Sequence, residues 1–130
     1  MADKPRLDVT AAIIRNRKKI LISKRPKGKH LEGYWEFPGG KRNEGETLEE
    51  CLIREIHEEL GLNIQVLKKI TTTTHEYNDR VVTLHAFECK VLSGIPKANE
   101  KQEFRWADPG ELSLYKFPPP DKVILKLLMQ

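Results

Sequence analysis

Glu55, Glu58 and Glu59 stand at i, i+3 and i+4, the spacing that puts three side chains on one face of a helix. Three carboxylates sharing a face repel one another unless a cation sits among them. An all-oxygen ligand set suits a hard divalent ion such as Mg²⁺ or Mn²⁺, and such an ion binds phosphate oxygens in turn. The surrounding charge is lopsided. Residues 44 to 59 hold seven glutamates (44, 46, 49, 50, 55, 58 and 59) and one basic residue, Arg54. The 130-residue chain carries 23 Lys+Arg and 19 Asp+Glu; outside that segment 22 positive residues face 12 negative ones. An acidic segment inside a basic protein suits a cation carrying an anionic ligand. Spacing alone leaves a second reading open, a solvated acidic helix face.

Local signals say what positions these acids. Thr47 with Glu50 forms a capping-box pattern, Gly61 suits the position after a helix end, and Leu48, Leu52, Ile56 and Leu60 recur every four residues. The pattern predicts a helix from Thr47 to Leu60, its carboxylate arc bordering the buried stripe. Val9–Ile14 and Ile20–Ile22 read as a hairpin around residues 15–18. Tyr34–Phe37 is a short strand stopped by Pro38-Gly39-Gly40, and 64–70, 81–91 and 104–106 are further strands. Asp121 is placed to cap a last helix after Pro118-Pro119-Pro120. Hairpins mixed with helices predict an α/β (α+β) fold, a mixed sheet between helices. Residues 1–130 are expected to form a single domain.

No apolar run is long enough to cross a membrane as a helix, and Met1-Ala2-Asp3-Lys4-Pro5 lacks the apolar core of a secretory signal. Cys51 and Cys89 have no metal spacing and read as reduced, packed thiols, which with the missing signal places the protein in the cytoplasm. His30, His57, His75 and His85 are scattered, and none is assigned to metal.

Gly40, five residues, Glu46, seven residues, then Arg54-Glu55-Ile56-His57-Glu58-Glu59-Leu60-Gly61-Leu62 matches the Nudix box, a loop-helix-loop signature, at every fixed position. Trp35-Glu36-Phe37-Pro38-Gly39-Gly40-Lys41, Ile22-Ser23-Lys24-Arg25, Asn78-Asp79-Arg80 and Phe117-Pro118-Pro119-Pro120-Asp121 resemble the MutT branch of that superfamily. The likeness runs from about residue 8 to residue 128. It implies the Nudix fold, an α/β/α sandwich. It also implies hydrolysis of nucleoside triphosphates to monophosphate and pyrophosphate, by water attacking the β-phosphorus.

The resemblance assigns Glu55, Glu58 and Glu59 to Mg²⁺ or Mn²⁺, with Glu55 and Glu58 as catalytic carboxylates and one of the three, Glu55 first, doubling as general base; spacing does not say which takes the proton. Gly40 is the box glycine whose carbonyl can ligate metal, or simply a tight turn. Glu46 and Arg54 pair to hold the loop, and Gly61 ends the helix. Glu100 is a further metal or base carboxylate. Lys41 is a phosphate contact or a solvated lysine. Arg25, Phe37, Arg80 and Asp121 match nucleotide-contacting positions; Phe37, Trp35 and Tyr34 are equally available to the core. Asp121 stands where the best-known oxidised-guanine enzyme has asparagine, and an ionised aspartate only accepts hydrogen bonds. That departure sets CTP or methylated dCTP beside 8-oxo-dGTP as candidate substrates. Dinucleoside polyphosphates and nucleoside diphosphate sugars are alternatives. A nucleotide- or RNA-sensing module is the non-enzyme reading. A soluble nucleotide is the expected partner of a monomer or homodimer, without membrane or stable nucleic-acid binding.

Overall fold

Alternation along the first two strands sorts the core into two faces. In β1 (Arg6–Asn16), Ala11 and Ile13 join one apolar cluster while Ala12 and Ile14 join the other; in β2 (Lys19–Lys24), Ile20 and Ile22 oppose Leu21. Strands buried on both sides lie inside a covered sheet. The computed structural model, which describes residues 3–129, shows that arrangement. The sheet runs β3 (Trp35–Glu36), β2, β1, β6 (Val81–Ser93), β5 (Asn63–Glu76), with β4 (Gly39–Lys41) on β1 and β7 (Phe104–Ala107) on β2. β1 and β6 are parallel and the other pairs antiparallel, so the sheet is mixed as expected.

Helix α1 (Leu48–Leu60) covers one face. Thr47 Oγ1 accepts from the Glu50 amide, the Glu50 side chain accepts from the Thr47 amide, and Gly61 closes the helix at φ +68°. Leu52, Ile56 and Leu60 pack against Ala12, Ile14 and Leu21; each fully buried aliphatic chain contributes about 1.5–3 kcal/mol. Helix α2 (Pro119–Leu128) covers the opposite face through Ile124, which clusters with Ile13, Ile22 and Phe117. Two helices on opposite faces of a sheet make the α/β/α sandwich. Among the described residues no helix is long and apolar enough to cross a membrane. Cys51 and Cys89 are free and buried.

Three local readings need correction. Gly39 and Gly40, read with Pro38 as a stop, belong to strand β4; it exists because β1 offers it an edge, not because glycine favours strands. β5 continues through Thr71-Thr72-Thr73-Thr74 to Glu76; this run is polar, but β-branched threonine suits a pleated surface. Asp121 does not cap α2. The helix starts three residues earlier than such a cap would place it, with Pro118 at the N-cap and prolines at its first positions, and Asp121 is buried in its first turn.

Candidate active site

The register of β4 on β1 decides what each glycine of the Gly39-Gly40 pair can do. The Ala12 amide donates to the Pro38 carbonyl and the Arg42 amide to the Asp8 carbonyl. Thr10 opposite Gly40 is therefore also a hydrogen-bonded pair, and Ala11 opposite Gly39 is not. The Gly40 carbonyl faces β1 and also accepts from Thr10 Oγ1 at 3.2 Å and Cys51 Sγ at 3.6 Å. The Gly39 amide and carbonyl point away from β1, and that amide offsets a little of the upward push on the Glu59 carboxyl. Gly40 serves another purpose: a Cβ there would fall on the Glu55 carboxyl group. A Cβ on Gly39 would overlap the Thr10 carbonyl oxygen instead.

The two glycines therefore fail differently when replaced. Gly39→Ala must move backbone, and about 1–3 kcal/mol of stability should be lost. Gly40→Ala only pushes a side-chain end, so it should melt close to the parent while turnover falls about 100-fold from the displaced Glu55. Melting and steady-state rates on both variants check this.

The carboxylates divide into an inner and an outer set. Glu59 lines the main cleft, and its Oε2 is buried with no hydrogen-bond partner. Burial raises the Glu59 carboxyl well above its ordinary value, and the charges of Glu36, Glu55 and Glu100 push it further. Burial also raises Glu55, against the pull of Arg54. Arg54 is the hub of the outer set: it meets Glu46 at 2.8 Å, Glu55 at 2.9 Å, Glu58 at 3.2 Å and the Lys41 carbonyl at 3.2 Å. The pairing of Glu46 with Arg54 is present as expected, and it holds the Glu46 carboxyl down at about 2. The expected convergence of Glu55, Glu58 and Glu59 is not: Glu58 lies half exposed, turned to Arg54. Among the described residues no three His, Cys, Asp or Glu side chains are already gathered into a ligand set.

Glu100 joins the inner set. Its loop docks on the end of α1, where Lys97 N donates to the Leu60 carbonyl and Asn99 N to the Glu59 carbonyl. Glu100, Glu59 and Glu36 line one groove with Lys24, Arg25 and Lys29.

A cleft of about 320 Å³ opens from Glu59 toward α2. Its walls include Leu7, Val9, Val82 and Leu84, and polar groups gather at Arg25, Glu36, Arg80 and Asp121. Lys41 lines it with an exposed side chain. Phe37 does both things open to it: it stacks on Phe117 in the core, with ring centroids 5.3 Å apart, and lines the cleft. Trp35 is core, edge-on to Tyr115, and Tyr34 carries Lys116 over its ring. Arg80 pairs with Asp79 at 2.8 Å. Arg25 donates to the His30 carbonyl and to Glu36 at 2.9 Å.

Asp121 sits at the closed end, where Oδ2 accepts from the Phe37 amide at 3.4 Å. Burial, then the charge of Glu36, raises its carboxyl to about 8. The expectation of an ionised, accept-only aspartate at neutral pH is thereby corrected. From about pH 4 to pH 8 the folded chain holds a proton there that the unfolded chain has lost. Stability therefore falls as pH rises through that window. Asp121→Asn should flatten that slope, matching the parent near pH 4 and melting higher at pH 8.5, as thermal denaturation across pH reports.

Glu36, Gly39, Tyr77 and Gln102 are site residues that the sequence reading gave no role. Glu36 carried a signal: a charge between Trp35 and Phe37, inside an otherwise aromatic strand. Gly39 and Gln102 carried none, because their parts depend on register and loop docking.

Fold and site together set buried carboxylates at the edge of a cleft with apolar walls and basic groups. The NUDIX domain family model matches residues 9–127, and the chain belongs to that family. It is 35% identical over 123 residues to the CTP pyrophosphohydrolase of Escherichia coli K12, covering 95% of this chain and 91% of that one. It is 32% identical over 124 residues to the 8-oxo-dGTP diphosphatase of the same organism, covering 95% and 96%. The solution structure of the E. coli ORF135 protein superposes with a TM-score of 0.83 at 34% identity, covering 97% and 90%. The Nudix and MutT resemblance, the fold class and the expectation of a hydrolase are borne out.

Proposed function

We propose that the protein hydrolyses nucleoside triphosphates to monophosphate and pyrophosphate with Mg²⁺ or Mn²⁺ held at the inner carboxylates. The observation that carries this reading is Glu59 Oε2, a buried oxygen without a donor, where the cleft meets three more carboxylates. That environment fits a hard cation, which would give the oxygen a partner and cancel the repulsion. Glu55, Glu59 and Glu100 would hold it, with the outward carbonyl of Gly39 in place of Gly40. Glu58 joins only by leaving Arg54. When bound, the cation supplies charge neutralisation and Lewis acidity toward phosphate oxygens.

The chain's own groups do the rest. The apolar walls and Phe37 take the nucleoside, and Arg25, Arg80 and Lys41 take phosphate or sugar oxygens. Glu55 accepts the proton of the attacking water as its oxygen bonds to the β-phosphorus. The bond to the bridging oxygen breaks, and the nucleoside monophosphate leaves with the electron pair. Arg54 holds Glu55 in line for that transfer.

A neutral Asp121 offers a donor and an acceptor together, as asparagine does. It suits a base edge with donor and acceptor side by side, which oxidised guanine and cytosine both have, so 8-oxo-dGTP and CTP stay together as candidate substrates. The test is kcat/KM for 8-oxo-dGTP, dGTP, CTP and 5-methyl-dCTP, with direct assay of the released phosphate. Pyrophosphate is the expected product, and orthophosphate as the direct product overturns the reading.

A further inference from the structure

The last carbonyls of a helix have no partner within it. In α1 they belong to the glutamate-bearing turn, and the loop of residues 97–102 satisfies them. Asn99 Nδ2 reaches the Glu58 carbonyl at 3.3 Å, and the Glu59 carbonyl receives both Asn99 N at 3.1 Å and Gln102 Nε2 at 3.0 Å. Gln102 uses its other end as well: Oε1 accepts from the Glu100 amide at 3.0 Å. It is 8% exposed, which is unusual for so polar a side chain in a surface loop. One amide group therefore clasps the backbones of Glu59 and Glu100 together. The residue between, Lys101, stands at φ +60° without being glycine. Such a conformation persists only where its surroundings hold it.

We propose that Gln102 is a positioning residue: its side-chain amide sets the placement of Glu100 against Glu59, and hence the inner carboxylate geometry. This rests on the reading of Glu100 as a carboxylate of the reaction. Donor and acceptor are both needed. Glutamate at 102 keeps the acceptor for the Glu100 amide but cannot donate to the Glu59 carbonyl. Methionine has similar length and neither function.

A double-mutant cycle tests it. In the full chain, Gln102→Met should lower kcat about 10- to 100-fold, with KM for the nucleotide within about twofold. Gln102→Glu should lower kcat in the same range, which keeps the test alive should the methionine variant fold poorly. Glu100→Gln should cost about 10² to 10⁴ in kcat, and adding Gln102→Met to it should cost less than about twofold more. Hydrogen exchange should show the Glu100 amide losing protection in Gln102→Met while α1 amides keep theirs. An equal loss from Gln102→Met in both backgrounds, or an unchanged Glu100 amide, overturns the proposal. A fully active Glu100→Gln instead overturns the reading of Glu100 on which it rests.

Discussion

Glu59→Gln is expected to abolish measurable turnover, by about 10³-fold or more, while making the metal-free protein melt higher than its parent. Both follow from one atom. Glu59 Oε2 is buried without a partner and faces the charges of Glu36, Glu55 and Glu100. Without a cation that oxygen is a liability: leaving a buried polar group unsatisfied costs about 1–3 kcal/mol. The neutral amide removes a charge from the crowd and can donate to a neighbouring carboxylate, so stability rises. With the charge goes the innermost oxygen that a cation would bind. Mg²⁺ should raise the melting temperature of the parent by linkage and leave the variant unmoved. Calorimetry with and without Mg²⁺, beside single-turnover rates, checks both halves.

Arg54→Ala is expected to lower kcat about 10- to 100-fold without touching substrate. Arg54 holds Glu55 and Glu58 from one side and Glu46 and the Lys41 carbonyl from the other, which joins the loop after β4 to α1. Without it the three carboxylates repel, and Glu55 loses the contact that keeps it over Gly40. A pH signature accompanies the loss of rate. The Glu46 carboxyl is held at about 2 against an ordinary 4.5, chiefly by its hydrogen bonds from Arg54. The parent therefore keeps that contribution above about pH 4.5 and loses it as pH falls toward 2. In Arg54→Ala this acid limb should shrink, as denaturation curves between pH 2 and 5 report. Arg54→Lys should not restore full activity, because an ammonium cannot present the planar fork that meets Glu46 with two nitrogens.

The helix carrying the acids was legible to within one residue, Thr47 being its cap rather than its first residue. Its cap, its C-terminal glycine and its four-residue stripe are local features, and local physics determines them. The hairpin of β1 and β2 was legible as two apolar runs around a turn, but which residue faces which helix came only with the fold. What escaped depends on partners distant in the chain. β4 exists only because β1 lends it an edge, so the register that sends the Gly40 carbonyl inward and the Gly39 carbonyl outward is invisible in Gly39-Gly40. The proton on Asp121 reflects burial beside Phe37, 84 residues away. The outward turn of Glu58 was half legible: its spacing from Arg54 allowed an ion pair, but spacing did not say that the pair would outweigh convergence with Glu55 and Glu59. Gln102 looked like one more polar residue in a polar loop until its two ends were seen to be occupied.

The proposed reaction requires a divalent cation held at Glu59 beside the cleft. The most direct measurement is anomalous scattering from crystals grown with Mn²⁺ and a non-hydrolysable nucleotide. A manganese peak is expected within coordination distance of Glu59 Oε2, between the nucleotide phosphates and the inner carboxylates. A manganese peak confined to the exposed Glu44 and Glu49, or no peak while the nucleotide is bound, would contradict it.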